Sequence, residues 1–271
     1  LGAWALFRKT GSKEFKPGRT VFRAIGTLLL VFLVLIPELI FPQHRLPKVT
    51  GKHQVATVNF SYTDRNRIET FTRTGENREV NVEFWYPKES GEKYPLIVFS
   101  HGAFGTKTTN LSTIMELASN GYVVCSIDHP YHALMTTDAA GRRVMVDPAF
   151  FQEVNDTNNG KYDEAAVFKI EQKWLKLRTD DINFVLDTLL AQAQDPESEP
   201  VYHLFDPAKI GLIGHSLGAA SSAQVARERK DIGAVVDLDS DLLGDYLDYS
   251  NGKYVMNNTV YPVPLLVILA D

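Results

Sequence analysis

Along the chain, short apolar runs alternate with longer stretches of helical spacing. Residues 55–62 and 79–86 alternate apolar and polar side chains at period two, which predicts half-buried strands and an antiparallel start to a sheet. Residues 96–100, 123–128 and 210–214 are almost wholly apolar, as strands covered on both faces are. Helical spacing fills the intervals at 107–119 and 163–193; in the second, Trp174, Leu175, Ile182, Val185 and Leu186 recur at about one helical turn. Two further strands are predicted at 234–238 and 265–270. This alternation predicts a mostly parallel sheet with helices on both faces. Residues 136–162 carry Gly141, Pro148, Asn158, Asn159 and Gly160 without clean periodicity, and read as a surface excursion or a lid.

The N-terminal pattern differs. Residues 24–37 hold no charge and are dominated by Leu, Val, Ile and Phe, and 21–41 are long enough to cross a ~30 Å hydrocarbon core. Arg23 and Glu38 sit near the ends, and Pro37 falls in the last turn. No small-residue cleavage site follows, so a transmembrane helix is expected rather than a signal peptide. Arg8, Lys9, Lys13, Lys16, Arg19 and Arg23 precede the core of the span, and only Arg45, Lys48 and Lys52 follow closely. That asymmetry predicts residues 1–20 as a cytoplasmic basic segment, 21–41 as the membrane helix and 42–54 as a linker. Residues 55–271 form the expected α/β domain, extracytoplasmic. The chain begins at Leu1 and stops at Asp271 directly after an apolar run, which reads as a domain cut short at its C-terminus.

Composition narrows the classes. The 271 residues are 44% hydrophobic and 23% charged with net charge −5, and no basic stripe with interleaved aromatics suggests a nucleic-acid partner. The single cysteine, Cys125, lies in a predicted strand, and no C-x-x-C or H-E-x-x-H spacing points to a metal. Neither a metal nor a cofactor is expected.

The strongest chemical signal is Gly214-His215-Ser216-Leu217-Gly218, between the predicted strand 209–213 and a helix-favouring stretch at 219–227. A sharp strand-to-helix turn of this kind strains the serine backbone, lifts its Oγ above the sheet edge and places a helix N-terminus behind it. Ser216 is the candidate nucleophile, with Gly214 and Gly218 small because chain and helix approach closely. Residues 99–105, Phe-Ser-His-Gly-Ala-Phe-Gly, end a strand and offer backbone amides for an oxyanion hole: Leu217 and Ala103 are assigned, with Phe104 the reserve for Ala103. The acid is expected after the next strand. Asp239 lies 23 positions past Ser216, Asp237 is the reserve, and Asp241 reads as a solvated loop residue. In the order Ser, Asp, His, the base comes last, yet no histidine follows His215. His101 and His215 belong to the two motifs; His129 and His132 sit at a strand end, on a pocket rim or in a solvated loop. His44, His53 and His203 read as linker or loop residues. The catalytic histidine is therefore expected beyond Asp271, and residues 1–271 alone are expected to be inactive.

Together these residues resemble the α/β-hydrolase fold and, more closely, the plasma-type platelet-activating-factor acetylhydrolase family with its bacterial membrane-anchored relatives. The resemblance is carried by Leu46-Pro47-Lys48-Val49-Thr50-Gly51, Val82-Glu83-Phe84-Trp85-Tyr86-Pro87, Pro95-Leu96-Ile97-Val98-Phe99-Ser100-His101-Gly102, Ile127-Asp128-His129, the Ser216 pentapeptide and Asp237-Leu238-Asp239-Ser240. It implies calcium-independent hydrolysis of a short or oxidised sn-2 acyl ester of a phospholipid, with Ser216 as nucleophile, Asp239 as acid and the Ala103 and Leu217 amides as the hole. Ala219 and Ser240 stand where relatives often carry glycine, which leaves acyl selectivity open. The runner-up is a dienelactone- or polyester-hydrolase-like carboxylesterase; from another class, a non-catalytic hydrolase-fold binding module.

Overall fold

A computed structural model describes residues 17–40, 46–89 and 93–270. The chain forms two units, Leu1–Pro47 and Lys48–Asp271. In the first, α1 (Pro17–Ile40) is a continuous helix, and its Pro17–Ile36 portion is long and apolar enough to cross a membrane.

The second unit is built on a seven-stranded sheet. Its strands are β1 (Val55–Ile68), β2 (Asn77–Pro87), β3 (Tyr94–Ser100), β4 (Val123–Asp128), β7 (Phe205–His215), β8 (Ile232–Leu238) and β11 (Leu265–Ile268), in spatial order β1-β2-β4-β3-β7-β8-β11. β1–β2 and β2–β4 pair antiparallel; every later pair is parallel. Parallel pairs require crossovers, which here are supplied in part by α2 (Leu111–Ser119), α4 (Glu164–Gln194) and α5 (Leu217–Glu228). This order, with an antiparallel edge and helical crossovers, is that of the α/β-hydrolase fold.

Two apolar layers sandwich the sheet. Val98, Leu212 and Val235 on one face meet Ile182, Val185 and Leu186 of α4 and Val225 of α5, while Ile97, Phe99 and Ile213 on the other meet Ile114 and Ala118 of α2. Side chains alternate across each strand, so both layers come from the same runs, and burial on both faces explains why those runs read as continuous apolar segments.

The structure departs from the sequence pattern at short elements. Residues 136–162 are no long loop: they include a hairpin of β5 (Met135–Thr137) and β6 (Arg143–Met145) followed by α3 (Pro148–Asn158). Asp138 closes the hairpin by accepting from Arg142 N at 2.7 Å, and Gly141 takes φ 84° there. Strands of three residues are too short to display a period. A second hairpin, β9 (Tyr246–Ser250) with β10 (Lys253–Met256), was likewise not expected. α3 is fixed by Asp147, whose side chain accepts from Phe150 N at 2.9 Å, and by Phe150 and Val154, which are buried. Asp147→Ala is therefore expected to cost about 1 kcal/mol, read as a lowered melting temperature with little change in the rest of the fold.

Candidate active site

Ser216 sits between the end of β7 and the first residue of α5, with φ 50° and ψ −129°. A non-glycine residue seldom adopts that backbone, and it is held here by surroundings that fix it from both sides. Ser216 N donates to Leu238 O at 2.9 Å, while Ser216 O accepts from Ala219 N at 2.8 Å and Ala220 N at 3.1 Å. The flanking glycines are sterically required. A Cβ on Gly214 would lie 2.4 Å from Ala219 N, and one on Gly218 would lie 2.2 Å from Ser100 O. Strand β3 thus packs directly against the turn, which brings Gly102 beside the serine: a Cβ there would stand 3.2 Å from Ser216 Cβ.

The loop after β3 presents two candidate amides, and they differ. Phe104 N already donates to His132 O at 2.9 Å, so its use as the reserve oxyanion donor is corrected: that hydrogen is committed. Among the described residues, no hydrogen bond engages Ala103 N or Leu217 N. Leu217 is the first residue of α5, where an amide has no intrahelical acceptor. Beside these groups, Leu217, Phe150, Val154 and Trp174 form a small apolar cluster against which Phe104 and Leu243 pack. α3 therefore contributes to the wall next to Ser216.

The two carboxylates occupy different environments. Asp237, within β8, is fully buried and accepts from Ser240 N at 3.1 Å and Ser240 Oγ at 2.6 Å. Burial raises its pKa, and the Ser240 bonds partly offset that. Asp239 follows β8 with φ 63° and is exposed; its amide donates to Ile268 O at 2.7 Å and its Oδ1 accepts from Ala270 N at 2.9 Å. Phe104, Ser216 and Asp239 all hold left-handed φ values, 64°, 50° and 63°, at the ends of adjoining strands. Asp241 lies past the end of β8 and is exposed.

Among the described residues, no histidine hydrogen-bonds Ser216. His203 meets Ser198, His53 pairs with Glu89, and His44 lies outside the described residues. His129 and His132 are not solvated loop residues: both are buried. His129 Nδ1 donates to Asp181 Oδ2 at 2.9 Å, so the neutral ring accepts at Nε2 from Ser100 Oγ at 3.0 Å. Ser100, His129 and Asp181 thus have the distances of a catalytic triad, yet all three are fully buried, out of reach of any substrate. Burial, with Arg178 and Arg78 nearby, pulls the His129 pKa down to about 3. This group is a sealed polar network. Asp181 also takes a two-pronged contact from Arg78, Nε to Oδ1 at 3.1 Å and Nη2 to Oδ2 at 2.7 Å, and a bond from Arg67 Nη2 at 2.9 Å.

Arg178 and Asp181, both fully buried on α4, were missed in the sequence. The available signal was helical phase: Arg178 lies one turn after Trp174 and one turn before Ile182, on the apolar face, where an ionised residue needs partners.

Residues 75–244 match the family profile described as platelet-activating factor acetylhydrolase, isoform II. The chain belongs to that family. The platelet-activating factor acetylhydrolase of Cavia porcellus is 27% identical over 180 residues, covering 59% of this chain and 38% of that protein. That of Canis lupus familiaris is 30% identical over 170 residues, covering 58% and 37%. The chain spans little more than a third of the length of the curated relatives it matches. A ferulic acid esterase from Streptomyces cinnamoneus superposes with a TM-score of 0.59 at 22% identity, over 82% of this chain and 66% of that one, and supports the fold.

Proposed function

We propose that the protein is a serine ester hydrolase in which Ser216 attacks the ester carbonyl. The observation that carries this reading is the strained Ser216 turn together with two unengaged amides, Ala103 and Leu217, at the same strand ends. As Ser216 Oγ bonds to the carbonyl carbon, its proton passes to a base and negative charge gathers on the carbonyl oxygen. The two amides and the N-terminus of α5 stabilise that charge. Collapse breaks the ester C–O bond, the base hands its proton to the departing alcohol, and an acyl-serine remains. Water, deprotonated by the same base, then attacks it, and Ser216 Oγ leaves with that proton as the acid is released. Asp239 orients and stabilises the base, a role for which its exposed second oxygen is suited. Since no described histidine reaches Ser216, the base is assigned to a histidine outside the described residues.

For the substrate we take a phospholipid carrying a short or oxidised sn-2 acyl group, a reading supported by the relatives' name, platelet-activating factor acetylhydrolase. The apolar cluster of Leu217, Phe104 and Phe150 beside Ser216 offers an apolar wall for the acyl part of an ester. We assign α1 as a membrane anchor, with the basic N-terminal side cytoplasmic and the catalytic unit outside, on the charge asymmetry of its flanks.

A fluorophosphonate probe tests the central claim on the full-length protein. Covalent labelling of Ser216, absent in Ser216→Ala, is the expected result. An unlabelled full-length enzyme, or equal labelling of Ser216→Ala, would remove Ser216 from the mechanism.

A further inference from the structure

The Arg178 guanidinium is fully buried in α4, and among the described residues no carboxylate forms an ion pair with it. Its hydrogens go elsewhere. Nη1 donates to His101 O at 2.8 Å, Nη2 to Gly102 O at 3.3 Å, and Nε to His132 Nδ1 at 3.3 Å. Gly102 O also faces His101 Nδ1 at 2.6 Å and accepts from Gly105 N at 3.2 Å within the loop. Burying a charge against neutral acceptors is costly, and here it serves one short loop.

The direction of those bonds has a geometric consequence. The peptide joining Gly102 to Ala103 is trans and planar, so Gly102 C=O and Ala103 N–H point in opposite directions. Fastening Gly102 O toward α4 turns Ala103 N–H away from α4, and Gly102 stands beside Ser216. The third bond acts on the next peptide. It ties down His132, whose ring stacks on Phe150 at 3.8 Å and whose carbonyl takes Phe104 N at 2.9 Å. That contact holds the far end of the same loop.

We propose that Arg178 is a positioning residue that sets the oxyanion hole, by gripping the His101 and Gly102 carbonyls so that the Ala103 amide faces the reacting carbonyl oxygen. The inference rests on Ala103 being an oxyanion donor. Arg178 touches no substrate; it fixes a peptide plane. A lysine at this position keeps the charge but offers one point of attachment in place of a planar fork.

The test compares Arg178→Lys and Arg178→Gln with the wild-type full-length protein on a short-chain oxygen ester and its thionoester, with rates expressed per fluorophosphonate-titrated Ser216. The expected result is a kcat loss of about ten- to a hundredfold on the oxygen ester with KM within about twofold. The thionoester rate should change far less, because sulfur is a poor acceptor for the hole amides. Equal losses on both esters, or a loss confined to the number of titratable sites, would mean that Arg178 only supports folding and would overturn the inference. If the Arg178 variants do not fold, His101→Ala removes the other side-chain donor to Gly102 O and should show the same oxygen-selective kcat loss, about three- to tenfold. A uniform loss there would equally overturn it. Should Ser216→Ala hydrolyse as fast as wild type, the nucleophile assignment itself fails and this inference falls with it. A dead Ser216→Ala beside wild-type-like Arg178 variants would sink the inference alone.

Discussion

Asp239→Asn is expected to lower kcat by about 10³–10⁴ in the full-length protein with KM nearly unchanged, the scale seen when the carboxylate of a serine triad becomes an amide. The contrast with Asp237→Asn makes the measurement decisive. Both Asp237 oxygens are occupied by Ser240, through N at 3.1 Å and Oγ at 2.6 Å, and Asp237 is itself fully buried. Such a carboxylate fastens the chain as it leaves β8. Its amide variant keeps acceptor capacity and should cost about 1–2 kcal/mol of stability while leaving kcat within several-fold. Asp239 is held by its backbone bond to Ile268 O and by Ala270 N on Oδ1, and among the described residues its Oδ2 meets no donor. Left-handed φ at this residue breaks the strand alternation and turns the side chain out at the level of Ser216, whose amide is bonded to Leu238 O. Steady-state rates per titrated serine, together with thermal melting, separate the two effects. A large kcat loss in Asp237→Asn with Asp239→Asn intact would transfer the acid to Asp237.

The elements legible in the sequence share one property, a local pattern strong enough to need no partner. The buried strands were visible because both their faces are covered, so that residues 96–100, 123–128 and 210–214 carry almost no polar interruption. α4 was visible because apolar residues recur at helical spacing from Trp174 to Leu189. The serine turn was visible because Gly214 and Gly218 answer overlaps of 2.4 Å and 2.2 Å that permit no other residue. What stayed hidden depends on contacts between distant segments. β5 and β6 are three residues each and exist through one another. Phe104 N is taken up by His132 O, nearly thirty residues further on, and nothing in the loop itself records that acceptor. His129 read as a rim or loop residue because its partners, Ser100 and Asp181, come from a different strand and a helix.

Asp181→Ala is expected to destabilise the hydrolase unit by about 3–5 kcal/mol, a large part of what an ordinary domain possesses. The carboxylate is fully buried and neutralises Arg78, which is itself buried, as well as accepting from Arg67 and His129. Its removal would leave guanidinium charge in the interior with Glu69 and Asp64 as the remaining partners. Burial alone would raise the Asp181 pKa, but Arg78 and the His129 bond outweigh it and hold the group well below the carboxylate range. A depressed folded pKa means stability that is present above the unfolded pKa of about 4 and lost as pH falls further. The histidines of the same network act at higher pH. Burial first, then the charge of Arg178, lowers His101 and His132 well below normal and His129 to about 3. Each stays neutral when folded and takes a proton when unfolded below about pH 6.5, so each contributes a slope of about 1.4 kcal/mol per pH unit. Together the three rings give a loss of about 4 kcal/mol per pH unit at its steepest, with stability falling as pH drops from 7 toward 5. Urea unfolding at several pH values measures it directly. Stability that stays level across that range would mean the rings accept protons in the folded protein, and the network linking Ser100, His129 and Asp181 would then be charged throughout.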